Sequence, residues 1–408
     1  MKQKQQTIIL LVAFALFLGC NKDNDEPAPV PKPEIIVMSL GGAEGDTISL
    51  KGKNYGADKE AVIVKFEGTR AEITALSPTE IKVIVPKGAQ SGTVTVTING
   101  AIASFPGFGV LHNRWRKKTE FPGNPKKRQG FTINGKLYVG FGESKDFWEY
   151  DPLKNKWTQK EDFPGVLRFM AVCFTLNSRG YIGTGLAYGN EARKDFWEYD
   201  PETNQWTQKK DFPGNARFGA AAYTIAGHGA FITNGGYIEK GEYYYLTDNW
   251  QYNSETDSWK KQADFNGEAG RINATAFSYG NEMAIVGTGH NNYGQQAFLQ
   301  DMFKYNAVTN NWKRISNYPG GAVSSATAFC IKNNCYMGTG YLKNGKYTNS
   351  FWHLDTKTGE WSQKSDFEGV GRYFSLSFSA NERGYVGMGL TYNGSGYDYH
   401  KDIWEYIP

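Results

Sequence analysis

The chain has few of the side chains that most often carry metal or thiol chemistry. Its 408 residues include five histidines and four cysteines, none at zinc-ligand spacing. P-loop and dinucleotide fingerprints are missing as well, so the sequence implies no metal and no cofactor. Excess charge of one sign is also missing. Against 41 acidic residues stand 45 basic ones, a net +4, and no basic tract is dense enough for a nucleic-acid footprint. Long apolar runs are confined to Thr7–Leu18, which is too short to cross a bilayer comfortably. No segment carries a clear amphipathic helical period. What is present is 48 glycines and 15% aromatic residues, a mixture that favours strands joined by tight turns and hence an all-β protein. At this length two or three domains are expected.

Residues 1–19 read as an export signal, with basic Met1-Lys2-Gln3-Lys4 ahead of the apolar run. Phe17-Leu18-Gly19-Cys20 resembles the bacterial lipobox, with Phe17 where leucine is usual. That resemblance implies lipidation of Cys20 as the first mature residue and attachment to the membrane through lipid alone. A plain secretory peptide with an incidental cysteine is the alternative. Asn21-Lys22-Asp23-Asn24-Asp25-Glu26 is similar to the tag that sends some Gram-negative lipoproteins to the outer cell surface. The expected location is therefore the outer membrane, facing the exterior. Residues 20–33 pass from this acidic stretch to a semi-rigid, proline-rich spacer, Pro27 to Pro33.

Export makes disulfides available. A two-residue turn at Lys332-Asn333 sets Cys330 opposite Cys335 as a non-hydrogen-bonded pair, where side chains approach closely. A disulfide is predicted there, with two free core cysteines as the other reading. Cys173 has no evident partner and reads as a small buried residue.

Residues 34–110 show short alternating strands at Ile48–Leu50, Ala61–Phe66, Ile81–Val85 and Val94–Ile98, the pattern of a small sandwich. Gly52-Lys53-Asn54-Tyr55-Gly56, Ser77-Pro78-Thr79-Glu80-Ile81 leading to Pro86, and Ser91-Gly92-Thr93-Val94 resemble an IPT/TIG immunoglobulin-like domain. In exported proteins such a domain implies a spacer or interaction module.

The rest, 111–408, repeats. Trp115, Trp157, Trp206, Trp259, Trp312 and Trp361 recur at intervals of 42, 49, 53, 53 and 49. Trp148, Trp197, Trp250, Phe303 and Trp352 each stand nine residues ahead of one of them, and Trp404 closes the series. All 11 tryptophans fall in this register. Each unit reads as four antiparallel strands, as in Ala171–Phe174, Tyr181–Gly185, Asp195–Tyr199 and a last strand through Trp206. This period and strand pattern resemble the kelch repeat. The family's double glycine is replaced here mostly by Gly-x-Gly, as in Gly183/Gly185, with Gly235-Gly236 keeping the common form. Five complete units and a sixth of three strands predict a six-bladed propeller, closed by Asn113-Arg114-Trp115 as the missing outer strand.

In such a propeller the loops before strand one and between strands two and three open on one face. The first set repeats Phe-Pro-Gly-x-x-Arg or a variant and brings Arg128, Arg168, Arg217, Arg271 and Arg372 near the mouth, with Val323-Ser324 in the fifth blade. Converging guanidiniums suit carboxylates. The plainer reading is that each arginine bonds carbonyls of the next blade. Either acidic neighbours or an anionic ligand must compensate the charge. The second set is rich in tyrosine, and Tyr188, Tyr237, Tyr244, Tyr293, Tyr341 and Tyr392 are candidate ligand contacts. The first blade's loop, Glu143-Ser144-Lys145, is short and leaves an open side.

Three functions fit these features. One is a surface-anchored binding protein that takes a glycan or another anionic small ligand. Another is a sugar mutarotase/epimerase, implied by similarity to the sialic-acid mutarotase group of six-bladed kelch propellers. For that chemistry Glu268 beside Arg271, or Glu368 beside Arg372, are the acid–base candidates, although a lone glutamate near an arginine is more often half of a structural ion pair. The third is a protein-interaction scaffold within an outer-membrane protein complex. Galactose-oxidase-like copper chemistry is disfavoured, because the histidines form no set and Cys173 lies in an inner strand.

Overall fold

The computed structural model describes residues 31–267, 269–291 and 297–408. The expected export signal, Cys20, Glu268 and Tyr293 lie outside the described residues. The chain divides after His112 into two compact units.

The first unit is a two-sheet sandwich. One sheet orders strands 34–37, 47–53, 80–84 and 72–77; the other orders 41–42, 101–110, 92–98, 62–66 and 69–70. Alternation sets the inner face: along 47–53 every second residue, Ile48, Leu50 and Gly52, is buried. These meet Val64, Phe66, Ile81, Val83, Val94, Val96 and Phe108 in one core. An immunoglobulin-like domain results.

The second unit contains six four-stranded antiparallel sheets among the described residues. Blade one takes strands 129–133, 136–140, 147–151 and 156–160, and the next four repeat the pattern to 361–364. Blade six holds 376–380, 383–387 and 403–407, and its outer strand is Arg114–Lys117, paired beside 403–407. The ring is thus closed by its own N-terminal strand.

The repeated aromatics tie each blade to the one before it. The phenylalanine of the Phe-Pro-Gly loop meets the outer-strand tryptophan of the following blade edge-on. Phe163–Trp206, Phe212–Trp259 and Phe367–Trp115 have ring centroids 5.2, 5.2 and 5.0 Å apart. The indole N–H then donates back across the junction, Trp206 to the Glu161 carbonyl at 3.2 Å and Trp259 to Lys210 at 3.3 Å.

The Gly-x-Gly element has a steric cause. A Cβ on Gly183 would overlap the Phe196 ring that opens the third strand, and Gly185 sits at φ 93° against Ala171. Blade three solves the same problem with the volumes exchanged. Thr233 stands where the others have the first glycine, and Asn249 stands in the place of Phe196. Gly235, at φ 91°, is therefore the equivalent of Gly185, while Gly236 already begins the next hairpin.

Cys330 and Cys335 are paired across the Lys332-Asn333 turn and joined as a disulfide. Cys173 is a free thiol, and burial pushes it far above the usual thiol range.

Trp115 is 1% exposed and touches Phe329, Phe351, Phe367 and Tyr406. Its replacement in Trp115→Ala is expected to destabilise the propeller by about 3–5 kcal/mol. Urea denaturation followed by tryptophan fluorescence checks this; an unchanged midpoint would show that closure does not depend on the strand.

Candidate functional site at the propeller mouth

The segment before strand one and the connection between strands two and three meet on one face. Residues 168–169 pair with 186–187, and 323–324 with 341–342. Phe218 bridges Gly236, Ile272 bridges His290 and Tyr373 bridges Leu390. Together they enclose a cavity of about 770 Å³. Its floor comes from the two residues after the repeated arginine: Phe169-Met170, Phe218, Ile272-Asn273, Ser324-Ser325 and Tyr373-Phe374.

The arginines themselves are not ligand donors. Arg168, Arg217, Arg271 and Arg372 are at most 1% exposed. Arg168 forks onto Asp195 at 2.7 and 2.6 Å and donates to the Thr184 carbonyl at 3.2 Å. Arg217 does the same with Asp248 and Asn234, Arg271 with Asp301 and Thr288, and Arg372 with Asp402 and Met388. The partners are groups of the arginine's own blade, not carbonyls of the next one. Arg128 reaches the matching place from a shifted backbone position, directly before its strand. It binds Asp146 at 2.5 Å and the carbonyls of Phe141, Ser144 and Asp146. Although Arg128 borders the cavity, its side chain is 1% exposed and its donors are spent. The expected ring of ligand-binding guanidiniums is therefore corrected. Acidic neighbours supply the compensation, and each pair needs the other because a buried lone charge is costly. Blade five shows the rule by exception: Val323 replaces the arginine and Ser350 stands where the aspartate would be.

Where the third strand carries a tryptophan two residues on, its indole also donates to the aspartate, Trp197 to Asp195 at 2.9 Å and Trp250 to Asp248 at 2.7 Å; Asp301 is followed by Phe303 and has no such donor. Burial alone would raise the Asp195 carboxyl, but the Arg168 hydrogen bonds and charge outweigh it and hold it at about 2. Asp146, Asp248 and Asp402 are lowered by the same balance.

The tyrosines divide. Tyr341 and Tyr392 line the cavity. Tyr237 and Tyr244 do not: they stack on each other with centroids 4.9 Å apart, while their strand neighbours Ile238 and Tyr243 face the cavity. The hairpin pairs Tyr237 with Tyr244 and Ile238 with Tyr243, so period-two alternation sends the two pairs to opposite faces. Tyr188 is 67% exposed and borders only a smaller side cavity. Glu368 is exposed and lines neither cavity, so it is no acid–base group of this site.

Sequence reasoning named Tyr341 but missed Tyr373 and Phe374, which complete the aromatic wall. Tyr341, Tyr347 and Tyr373 lie with centroids 5.2–5.7 Å apart and Phe374 adjoins Tyr373 at 4.9 Å. The Tyr347 hydroxyl accepts from the Tyr392 N–H at 2.9 Å, linking the hairpins of blades five and six. The missed signal was positional: the two residues after the arginine vary in chemistry within an otherwise regular repeat. Polar groups are few. His290 shares a hydrogen bond with the Ser324 hydroxyl at 2.8 Å, and burial pushes its imidazole down to about 4, so it is neutral near pH 7. The Lys127 ammonium lies 4.8 Å from the Phe169 ring centre and 3.0 Å from Glu143. Desolvation works against the ammonium, yet the Glu143 hydrogen bond and charge raise its pKa. Among the described residues no carboxylate lines the main cavity, and no group of histidine, cysteine, aspartate and glutamate is arranged to hold a metal.

The model of the KLHDC2/KLHL20/DRC7 Kelch-repeats domain matches residues 171–389, more than half of the chain. The chain belongs to the kelch-repeat family. Residues 36–108 match the IPT/TIG domain. Among solved structures, one described as "Structure of YjhT" is similar at 18% identity and a TM-score of 0.59, covering 70% of this chain and 95% of that one. At that identity the likeness concerns the fold. No curated protein matches this chain. A kelch propeller suits binding or protein interaction, and the aromatic mouth is where this one offers a pocket.

Truncation in Arg217→Ala leaves Asp248 buried without its partner and is expected to cost about 3–5 kcal/mol. The double change Arg217→Val with Asp248→Ser, which copies blade five, is expected to cost less than the single one; chemical denaturation of both variants decides. The lowered aspartates also set an acid limit. Their contribution to stability is complete above the unfolded-state pKa near 4 and is lost as pH falls through the folded value, about 2 for Asp195. Melting temperatures are thus expected to fall between pH 4 and 2, with a shallower fall in Asp195→Asn.

Proposed function

We propose that the mouth of the propeller binds an uncharged saccharide, on a protein exported and held at the outer cell surface through lipid on Cys20. One observation carries the reading: the wall formed by Tyr341, Tyr347, Tyr373 and Phe374, flanked by Tyr392 and Tyr397. Such rings offer flat apolar faces with polar tips, which suit the C–H faces and hydroxyls of sugars. Asn273, Ser324 and Ser325 supply a small set of polar groups to orient the ligand. Preference for an anionic saccharide loses its support once the guanidiniums are committed to aspartates. The mutarotase reading fares worse, since ring opening needs an acid–base group beside a carboxylate binder. The described cavity offers a neutral His290 and no uncommitted arginine.

A printed glycan array probed with the full mature chain is expected to retain the protein on neutral glycans. Tyr373→Ala is expected to weaken that binding roughly 3–10-fold, the worth of one ring contact. Retention of no glycan, together with capture by an outer-membrane protein, would move the site to the scaffold reading. The anchor has its own check: Cys20→Ser is expected to move the protein from the membrane fraction to the soluble one, and continued membrane association overturns lipid attachment.

A further inference from the structure

The mouth is not symmetric, and its asymmetry describes the shape of the ligand. Blades two to six each raise a hairpin between their second and third strands, as in residues 186–192, 236–245 and 390–399. Blade one crosses the same span with Phe141–Asp146, in which no hairpin forms. The floor is interrupted at the same point. Met170, Gly219, Asn273, Ser325 and Phe374, all at positive φ, are joined head to tail. Each N–H donates to the carbonyl of the preceding member at 2.8, 2.8, 3.0 and 3.3 Å. Blade one adds no member, because its first strand begins at Gln129, directly after Arg128. The series therefore runs through blades two to six and breaks between Phe374 and Met170.

At this break the main cavity continues into a second one of about 200 Å³. The two share Lys127, Phe169, Leu186 and Asn190, and the smaller is bounded outward by Glu143 and Tyr188. Its chemistry repeats that of the mouth on a smaller scale. Tyr188 presents an exposed ring face, Asn190 an amide, and the Lys127–Glu143 pair at 3.0 Å supplies donors and acceptors with no net charge.

We infer that the site takes the end of a neutral glycan chain, with the terminal sugar in the mouth and the next one in the side cavity, so that the chain leaves across blade one between Lys127 and Tyr188. This rests on the saccharide reading and adds the ligand's length and direction to it. A free monosaccharide would need neither the missing hairpin nor the second cavity, whereas a chain that leaves sideways along the face needs a gap in the wall, and blade one supplies it.

The test is calorimetric titration of the full mature chain with matched neutral homo-oligosaccharides of one, two and four units, chosen from a series retained on the array. Affinity is expected to rise at least tenfold from one unit to two and to change little from two to four. Tyr188→Ala is expected to bring the two-unit affinity down to that of one unit while leaving one-unit binding unchanged. Tyr188 is largely exposed, so its truncation leaves the fold intact, and Tyr373→Ala, which weakens every length, serves as the contrast. Equal affinity at all lengths, or an equal effect of Tyr188→Ala on every length, overturns the exit path and leaves the mouth as a monosaccharide site. If no member of any series binds, the saccharide reading itself falls, and the exit path with it.

Discussion

A guanidinium withdrawn from water needs a carboxylate beside it, and this requirement organises the propeller. Arg168, Arg217, Arg271 and Arg372 are removed from solvent at the inner end of their blades, each forked onto an aspartate that also receives the third-strand indole where that residue is tryptophan. The guanidinium carbon lies 4.7–5.6 Å from the phenylalanine ring of the Phe-Pro-Gly loop, and that ring meets the outer tryptophan edge-on. One chain of contacts thus runs from the mouth to the rim of each blade: aspartate, arginine, phenylalanine, tryptophan. Bidentate geometry gives it direction as well as energy. Loss of arginine and aspartate together in blade five, with Val323 and Ser350 in their stead, is what a unit that works only as a pair permits.

That commitment decides the chemistry of the mouth. With the cations neutralised below it, the floor is left to the residues that follow each arginine, and these are mainly apolar, aromatic or hydroxyl-bearing. The frame repeats because blade-to-blade packing must be satisfied in the same way around the ring. The floor and hairpins, free of that duty, differ from blade to blade. Blade one differs most, and its short connection and early strand fall on the same side of the opening.

Much of the frame was legible in the order of residues. Tryptophans at a steady spacing marked strand positions because the same burial recurs in every blade, and the surplus strand 114–117 followed from a sixth unit one strand short. Strands 47–53, 80–84 and 92–98 were visible through alternation. The mouth was read less well. Arg168 and Asp195 are far apart along the chain, and nothing local announces that they meet; the Asp-x-Trp spacing was the available hint. Tyr237 and Tyr244 were placed in the right connection, but its hairpin and the face they take were not foreseen, since a strand's two faces are told apart only by what covers them.

Sequence alone determined the two units, the number of blades and the element that closes the ring, because these follow from periodic burial, and burial leaves a period in the chain. Tertiary structure decided which polar groups remain for a ligand. Charge compensation is settled between residues brought together by folding, and a side chain's availability is what its neighbours leave unspent.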